Sequence, residues 1–380
     1  MMKVLIVAGE ASGDAHAARL VSALQEMAPE TLFLGIGGPE LAARGVKILF
    51  PASALAVTGL TEVLHMLPAV WRALGILHQT MRQVQPDLVI LVDFPDFNFW
   101  VARLARYHRR PVMYYISPQV WAWRTYRVRT LARLVDRLVV IFPFEAEFFR
   151  RHGLPVTYVG HPFRETLPPL PPRKQLLKEW GLDPEALTIA LLPGSRTSEI
   201  ELILPRMAAG AELVAQAVPG CQFVLPVAAT VPEKVIKEHL RGFSGRLRLL
   251  AGQAYAALAA GHLAVVASGS ATVEAALAAT PAIIVYRLSP LSFRVGKMLI
   301  RVDHIGMANL LAEDRLFPEL LQDDFTPARL AQEMMTLLTQ PERLQFLKEG
   351  LRRVITRLGG PGASRRAAQV AWELLPKGKH

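Results

Sequence analysis

LAVVASGSATVEAALAATPAIIVY, Leu263 to Tyr286, is the stretch that decides the fold. Leu263 to Ala267 is a short apolar run rich in valine, suited to a strand buried on both faces. It halts at Ser268-Gly269-Ser270, and ATVEAALAAT then has the small-residue content of a helix packed closely on a sheet. Pro281 closes that helix, and AIIVY reads as the next strand. A strand, a glycine-serine turn and a helix place free backbone N–H groups and a positive dipole end at the carboxyl edge of a sheet, where an anion can sit. Glu274, about one turn into the helix, suits a ribose, because a carboxylate accepts from two neighbouring hydroxyls at once. An ordinary βαβ turn with a solvated glutamate has the same pattern, so the stretch speaks to the fold before it speaks to a ligand.

The same alternation extends in both directions. KVLIVA (Lys3 to Ala8), LFLGIGG, VKILF, LVILVD (Leu88 to Asp93), VMYYI (Val112 to Ile116) and RLVVIF read as buried strands, with a helix from about Ala15 to Met27 after the turn GEASGD. LPPLPP (Leu167 to Pro172) interrupts them, and four prolines in six residues exclude a helix or a central strand. Beyond it TIALLPGSR, CQFVLP, RLRLL, LAVVA and AIIVY resume the pattern, and the last stretch is helical apart from GGPG at Gly359 to Gly362. The expectation is an α/β chain of two Rossmann-like parallel sheets facing a cleft, with domains at 1–168 and 169–362.

Composition narrows the class. A hydrophobic share of 52% with 20% charged residues gives a large core and excludes disorder. The single cysteine, Cys221, leaves no internal disulfide and no cysteine-based zinc site. No apolar run reaches the roughly 18 residues of a spanning helix, and MMKVLIVAGE enters a strand directly, with no signal-peptide pattern. The formal charge of +11 favours nucleic acid, an anionic membrane surface or phosphorylated substrates.

Ligands of such sheets lie beyond the carboxyl ends of the strands, which selects the loops to inspect. GEASGD lacks the G-x-G-x-x-G spacing, and no G-x-x-x-x-G-K-[ST] occurs, so NAD-linked and ATP-hydrolysing readings recede. In PGSRTSEIE, Gly194 lets the backbone approach a ligand, while Ser195 and Arg196 offer a hydroxyl and a planar guanidinium fit for a diphosphate. Glu199 or Glu201 pairing with Arg196 is the alternative. Asp93 ends an otherwise apolar strand, where a partly desolvated carboxylate serves as a general base; helix capping or an arginine partner competes with that role. Asp96 reads as a cap for a helix opening near Asn98. Trp121 and Trp123 in SPQVWAWR offer a wall for a sugar face or simple packing. Histidines are scattered without ligand spacing, so no metal is expected. Around the tryptophans run Arg103, Arg106, Arg109, Arg110, Arg124, Arg127, Arg129, Arg133 and Arg137, a solvated face or a contact for anionic head groups. Leu64, Leu67 and Trp71 belong to an apolar stretch broader than one sheet can cover, which leaves a remainder for acyl chains or a bilayer. A second basic and apolar helix spans Phe293, Arg294, Lys297, Met298 and Arg301.

Taken in order, VAGEASGD, DFPDFN, SPQVWAW, the GHP turn, LLPGSR, ASGSATVE and the late NLL at Asn309 resemble the lipid-A-disaccharide synthase family over nearly the whole chain. Ala308-Asn309 departs from the Pro-Asn pair expected there. The resemblance implies the GT-B fold and an inverting, metal-independent transfer that needs no cofactor and no nucleic acid. UDP-2,3-diacylglucosamine would be joined to 2,3-diacylglucosamine 1-phosphate, giving the β-1,6-linked lipid A disaccharide 1-phosphate and UDP, at the cytoplasmic face of the inner membrane. It also implies that residues 363–380 cross back to the first domain, or to that of a partner in a homodimer. On this reading Gly194, Ser195, Arg196, Ser268, Gly269, Ser270 and Glu274 hold UDP, and Asp93 takes the proton of the acceptor 6-hydroxyl. Glu10, Ser12, Asp14, Trp121, Trp123 and Asn309 shape the acceptor side. Two rivals stay open: another UDP-sugar enzyme, such as a UDP-N-acetylglucosamine epimerase or a lipid-linked glycosyltransferase, and a non-catalytic basic membrane-binding protein.

Overall fold

Valine- and leucine-rich runs become two parallel sheets, because a strand apolar on both faces needs cover on both. The computed structural model describes residues 1–55, 63–123, 125–289 and 304–375, with the backbone alone over 63–66. The helix expected around Phe293 to Arg301, the side chain of Leu64 and Arg124 lie outside the described residues. Unit 1 comprises Met1–Glu165 and Leu358–His380, and unit 2 comprises Thr166–Arg357. The divisions fall a few residues before the 168 and 362 drawn from sequence, so the proline run opens unit 2.

Unit 1 holds β1 (Lys3–Ala8), β2 (Leu32–Gly37), β3 (Lys47–Pro51), β4 (Leu88–Val92), β5 (Val112–Tyr115), β6 (Arg137–Val140) and β7 (Val156–Tyr158), in the order β3-β2-β1-β4-β5-β6-β7. Its helices include α1 (Ala11–Met27), α2 (Pro39–Ala43), α3 (Val63–Gln83), α4 (Pro95–Tyr107), α5 (Val120–Trp123), α6 (Val128–Leu134) and α7 (Pro143–Arg151). Unit 2 holds β8 (Thr188–Leu192), β9 (Gln222–Val227), β10 (Arg246–Ala251), β11 (Leu263–Ala267), β12 (Ala282–Tyr286) and β13 (Glu319–Leu321), in the order β10-β9-β8-β11-β12-β13. Every strand pair is parallel. The order reverses once in each sheet, between β1 and β4 and between β8 and β11. Connections diverge at such a reversal and leave a crevice beyond the strand ends. GEASGD and DFPDFN follow β1 and β4; PGSR and SGSATVE follow β8 and β11. Four of the loops singled out for chemistry therefore lie at the two switch points, while SPQVWAW follows β5.

Helix α1 starts earlier than its sequence suggests. Asp14 N donates to Glu10 O at 2.8 Å, so Ala11 to Asp14 form the first turn in place of an open loop. Asp14, expected on the acceptor side, is buried and tied elsewhere: its carboxylate accepts from Gly38 N at 2.7 Å and Glu40 N at 2.9 Å, fixing the start of α2. A Cβ on Gly38 would stand 2.6 Å from Asp14 Oδ2, so this anchor depends on glycine.

The chain end returns to unit 1. The helix Ala363–Leu374 packs on α1 and buries Ala367, Ala368 and Ala371, residues small enough for a close approach to its neighbours. Glu165 caps it, accepting from Gly362 N at 2.9 Å and from Ser364 N at 3.1 Å, and from the Ser364 hydroxyl. His161 N donates to Leu358 O at 2.9 Å, and Arg366 Nε to Val159 O at 2.8 Å, so the two chain crossings are laced together. Among the described residues no helix is long and apolar enough to cross a membrane.

Candidate active site

At the unit 1 switch point the backbone is strained where the chemistry is expected. Strand β4 stops at Val92, and Asp93 (φ 47°) and Phe94 (φ 50°) are both left-handed. Two consecutive residues there cost energy that surrounding bonds must offset. Asn98 Nδ2 and Tyr114 Oη each donate to Asp93 O at 2.7 Å, and Asp93 N donates to Tyr115 O at 3.2 Å. Asp93 is thus clamped by its main chain, leaving the side chain for other work. A Cβ on Gly9 would stand 2.2 Å from the Phe94 ring, so Gly9 is what lets that ring close over the β1 loop. Burial, then the like charge of Glu10, push the Asp93 carboxyl up to about 6, with the Phe94 N–H opposing them. Such a carboxylate is ionised near neutral pH yet basic enough to accept a proton.

Asp93 lines a cavity of about 250 Å³ with Ser117, Gln119, Trp123, Phe142 and Glu145. Of the two tryptophans only Trp123 borders it. The Trp121 ring packs edge-on against Phe144 at 4.9 Å, and its Nε1 donates to Glu145 Oε1. Glu10 and Ser12 are exposed at the start of α1. Asp96 does not cap a later helix: α4 opens at Pro95, and Asp96 pairs with Arg127 at 2.7 Å. The arginine run is partly engaged too, since Arg106 pairs with Asp136 at 2.9 Å and Arg103 lies over the Trp100 ring.

At the unit 2 switch point Gly194 has φ 122°, and a Cβ there would meet Glu199 Oε2 at 2.5 Å. The Glu199 carboxylate therefore tucks against the loop, accepting from Ser195 N at 3.1 Å and pairing with Arg196 at 3.4 Å. The Arg196 side chain is 72% exposed, and a pair of that length and exposure is worth about 0–1 kcal/mol, weak enough for a diphosphate to replace. Behind it the helix Thr197–Ala217 directs its positive end at the loop. Across the switch, Ser268 Oγ donates to Ile305 O at 3.1 Å, while Gly269 (φ 153°) and Ser270 are exposed. The following helix is shorter than expected, Ala271–Leu277, so the long helix after Arg196 carries more of the dipole. Burial alone raises the Glu274 carboxyl to about 7.

Asn309, expected beside the acceptor, lies in unit 2 with its amide fully used. Oδ1 accepts from Phe317 N at 2.7 Å, and Nδ2 donates to Phe317 O at 2.9 Å and to Glu319 Oε1 at 2.8 Å. Glu319 also accepts from Ile305 N and Gly306 N, so the pair braces the segment that receives the Ser268 hydroxyl. Asn98, Tyr114 and Glu145 escaped sequence reading. An asparagine two residues beyond Asp96 was visible; a tyrosine inside an apolar strand and a glutamate on a charged-looking helix were not.

The whole chain has counterparts. The profile of one family, described as lipid-A-disaccharide synthetase, matches residues 4–374. The lipid-A-disaccharide synthase of Syntrophus aciditrophicus is 44% identical over 375 residues, covering 98% of each chain. The chain belongs to the lipid-A-disaccharide synthase family. The Myxococcus xanthus synthase is 42% identical over 377 residues, covering 99% of this chain and 98% of its own. As a member of the synthase family the protein is an inverting glycosyltransferase of lipid A biosynthesis: it joins UDP-2,3-diacylglucosamine to 2,3-diacylglucosamine 1-phosphate, forming the β-1,6-linked disaccharide 1-phosphate and UDP. Among solved structures, the calicheamicin glycosyltransferase CalG4 is similar with a TM-score of 0.63 at 16% identity, covering 100% of both chains. The UDP-N-acetylglucosamine 2-epimerase of Neisseria meningitidis, bound to UDP-N-acetylglucosamine, gives 0.62 at 14% identity over 98% of this chain and 99% of that one. These neighbours establish the GT-B fold. The far higher identity to the synthases sets aside the epimerase and the non-catalytic readings.

Proposed function

We propose that Asp93 is the general base of the transfer and that the two unit 2 loops hold the donor nucleotide. Asp93 accepts the proton of the acceptor 6-hydroxyl as its oxygen attacks the anomeric carbon; the C–O bond to UDP breaks, and the pair of electrons leaves on the β-phosphate. The departing charge is met by Arg196, the N–H groups at the start of the helix Thr197–Ala217 and the Ser268–Ser270 turn. Glu274 accepts from the ribose hydroxyls. The observation that carries this is the placement of both candidate groups at the topological switch points, with Asp93 held by bonds to its main chain and its carboxyl raised to about 6. The binding of UDP-N-acetylglucosamine by the structurally similar epimerase supports the nucleotide assignment.

Asp93→Asn removes turnover while UDP-sugar affinity is kept; undiminished turnover ends its role as base. Arg196→Ala lowers UDP affinity at least tenfold. Hydroxyl donors favour ionised Glu274, so UDP-sugar binding weakens as pH falls through about 7, and Glu274→Gln loses that dependence. Unchanged calorimetric affinity in both variants moves the nucleotide elsewhere.

The acylated substrates call for an anionic membrane surface at the cytoplasmic side of the inner membrane. Leu67 and Trp71 on α3, 46% and 67% exposed, and Trp100 and Tyr107 on α4 support that contact, with Arg103 and Arg72 adjacent in sequence register. Leu67→Ser with Trp71→Ser lowers binding to phosphatidylglycerol vesicles without lowering the melting temperature; equal binding removes the proposal. A return helix exchanged within a homodimer would make the Glu165 and Arg366 bonds between subunits, and a monomeric mass in sedimentation excludes it.

A further inference from the structure

Glu145 borders the cavity that holds Asp93, and the transfer described above gives it no task. It is 2% exposed, and each of its oxygens has partners: Oε1 accepts from Ser117 Oγ at 2.9 Å and Trp121 Nε1 at 3.1 Å, and Oε2 accepts from Phe142 N at 3.3 Å. All three partners donate, so both oxygens must accept, which a carboxylate does and an amide does not. Among the described residues no cation is one of these partners; burial pushes the carboxyl up to about 7, and the neutral donors oppose that. The donors come from separate pieces of chain. Ser117 and Trp121 lie after β5, on the segment that also carries Gln119 and Trp123, whereas Phe142 precedes α7. Glu145 thus ties the far wall of the cavity to the rigid start of α7. That wall needs a tie, because the chain turns sharply into it at Ile116, a β-branched residue with φ 60°. Trp121 packing on Phe144 holds one end of the segment, and the Glu145 carboxylate accepts from Ser117 and Trp121 together.

We propose that Glu145 is a positioning residue for the acceptor: its carboxylate holds the Ser117–Trp123 segment so that Gln119 and Trp123 present a fixed sugar-binding wall beside Asp93. This rests on the reading of Asp93 as the base, which places the acceptor hydroxyl in the same cavity.

The test is steady-state kinetics in mixed micelles on the full chain, varying donor and acceptor separately, for Glu145→Gln, Ser117→Ala, Trp121→Phe and the double variant Glu145→Gln/Ser117→Ala. Glu145→Gln is expected to raise the acceptor KM about tenfold or more, lower kcat much less, and leave the donor KM and calorimetric UDP affinity unchanged. Ser117→Ala and Trp121→Phe shift the acceptor KM in the same direction by less, and the double variant is no worse than Glu145→Gln, since the hydroxyl acts only through the carboxylate. Wild-type acceptor KM in Glu145→Gln, or equal loss of donor and acceptor affinity, overturns the proposal. Should Glu145→Gln fail to fold, an unchanged acceptor KM in both Ser117→Ala and Trp121→Phe overturns it equally. Asp93→Asn, run alongside, separates the two readings: full turnover there sinks the base assignment, whereas its loss with unaltered Glu145 variants sinks only the positioning role.

Discussion

Asp93→Asn should stabilise unit 1 near neutral pH while abolishing its chemistry. The Asp93 carboxyl is held at about 6 against an ordinary 3.8, mainly by burial. About two pKa units at about 1.4 kcal/mol each correspond to ~3 kcal/mol for the ionised form, and partial contact with water lowers this to ~2 kcal/mol. The folded-state pKa lies above the unfolded one, so the folded protein retains a proton that the unfolded chain has already released. The stability this gives is whole below about pH 4 and is lost as pH rises through about 6. Asparagine does not ionise, and it tolerates the left-handed backbone at this position. Wild type and variant should therefore melt together at pH 4, while at pH 7.5 the variant's unit 1 transition should be higher by roughly 4–8 °C. Differential scanning calorimetry at the two pH values reads this directly, and turnover measured on the same samples should fall by about two to four orders of magnitude. Equal melting temperatures at pH 7.5, or a wild type more stable there than the variant, would refute the account of how burial tunes this group.

Two other variants probe the supports of the fold. Asn309→Ala deletes three buried hydrogen bonds and strands Phe317 N and Phe317 O, while Glu319 Oε1 keeps Gly306 N, so urea denaturation should show a loss of about 2–4 kcal/mol in unit 2; a loss below ~1 kcal/mol means the Glu319 brace suffices alone. Glu165→Ala removes the cap of the return helix and should cost about 1–2 kcal/mol, with faster limited proteolysis within residues 358–375; an unchanged cleavage rate shows that packing on α1 is enough.

Strand sequence carried most of this architecture. LVILV and LAVVA admit only double-sided burial, and the loops after them were fixed in place once the sheets were parallel. What escaped was short, bent or borrowed. β7 and β13 are three-residue edge strands whose pairing comes from neighbours and not from their own pattern. Sequence makes Asp93 the last residue of a strand, because an apolar run gives no sign of a left-handed exit; the clamps that impose it, Asn98 and Tyr114, belong to α4 and β5. Polar groups near glycine or at a helix start are ambiguous, and only tertiary partners reveal the bracing bonds that Asp14 and Asn309 make. Glu145 had the opposite fate: in PFEAEFF it resembles any solvated helix charge, while the structure buries it against three donors.

The return of Leu358–Leu374 to unit 1 also orders events during synthesis. Unit 2 is contiguous and emerges whole before the last helix leaves the ribosome, so it can close first. Unit 1, although made earliest, lacks the helix that covers α1 until residues 363–374 have emerged, and waits with an apolar groove uncovered. A released chain cut after residue 357 would carry a complete second half and an unfinished first one, the reverse of the order in which the two were written.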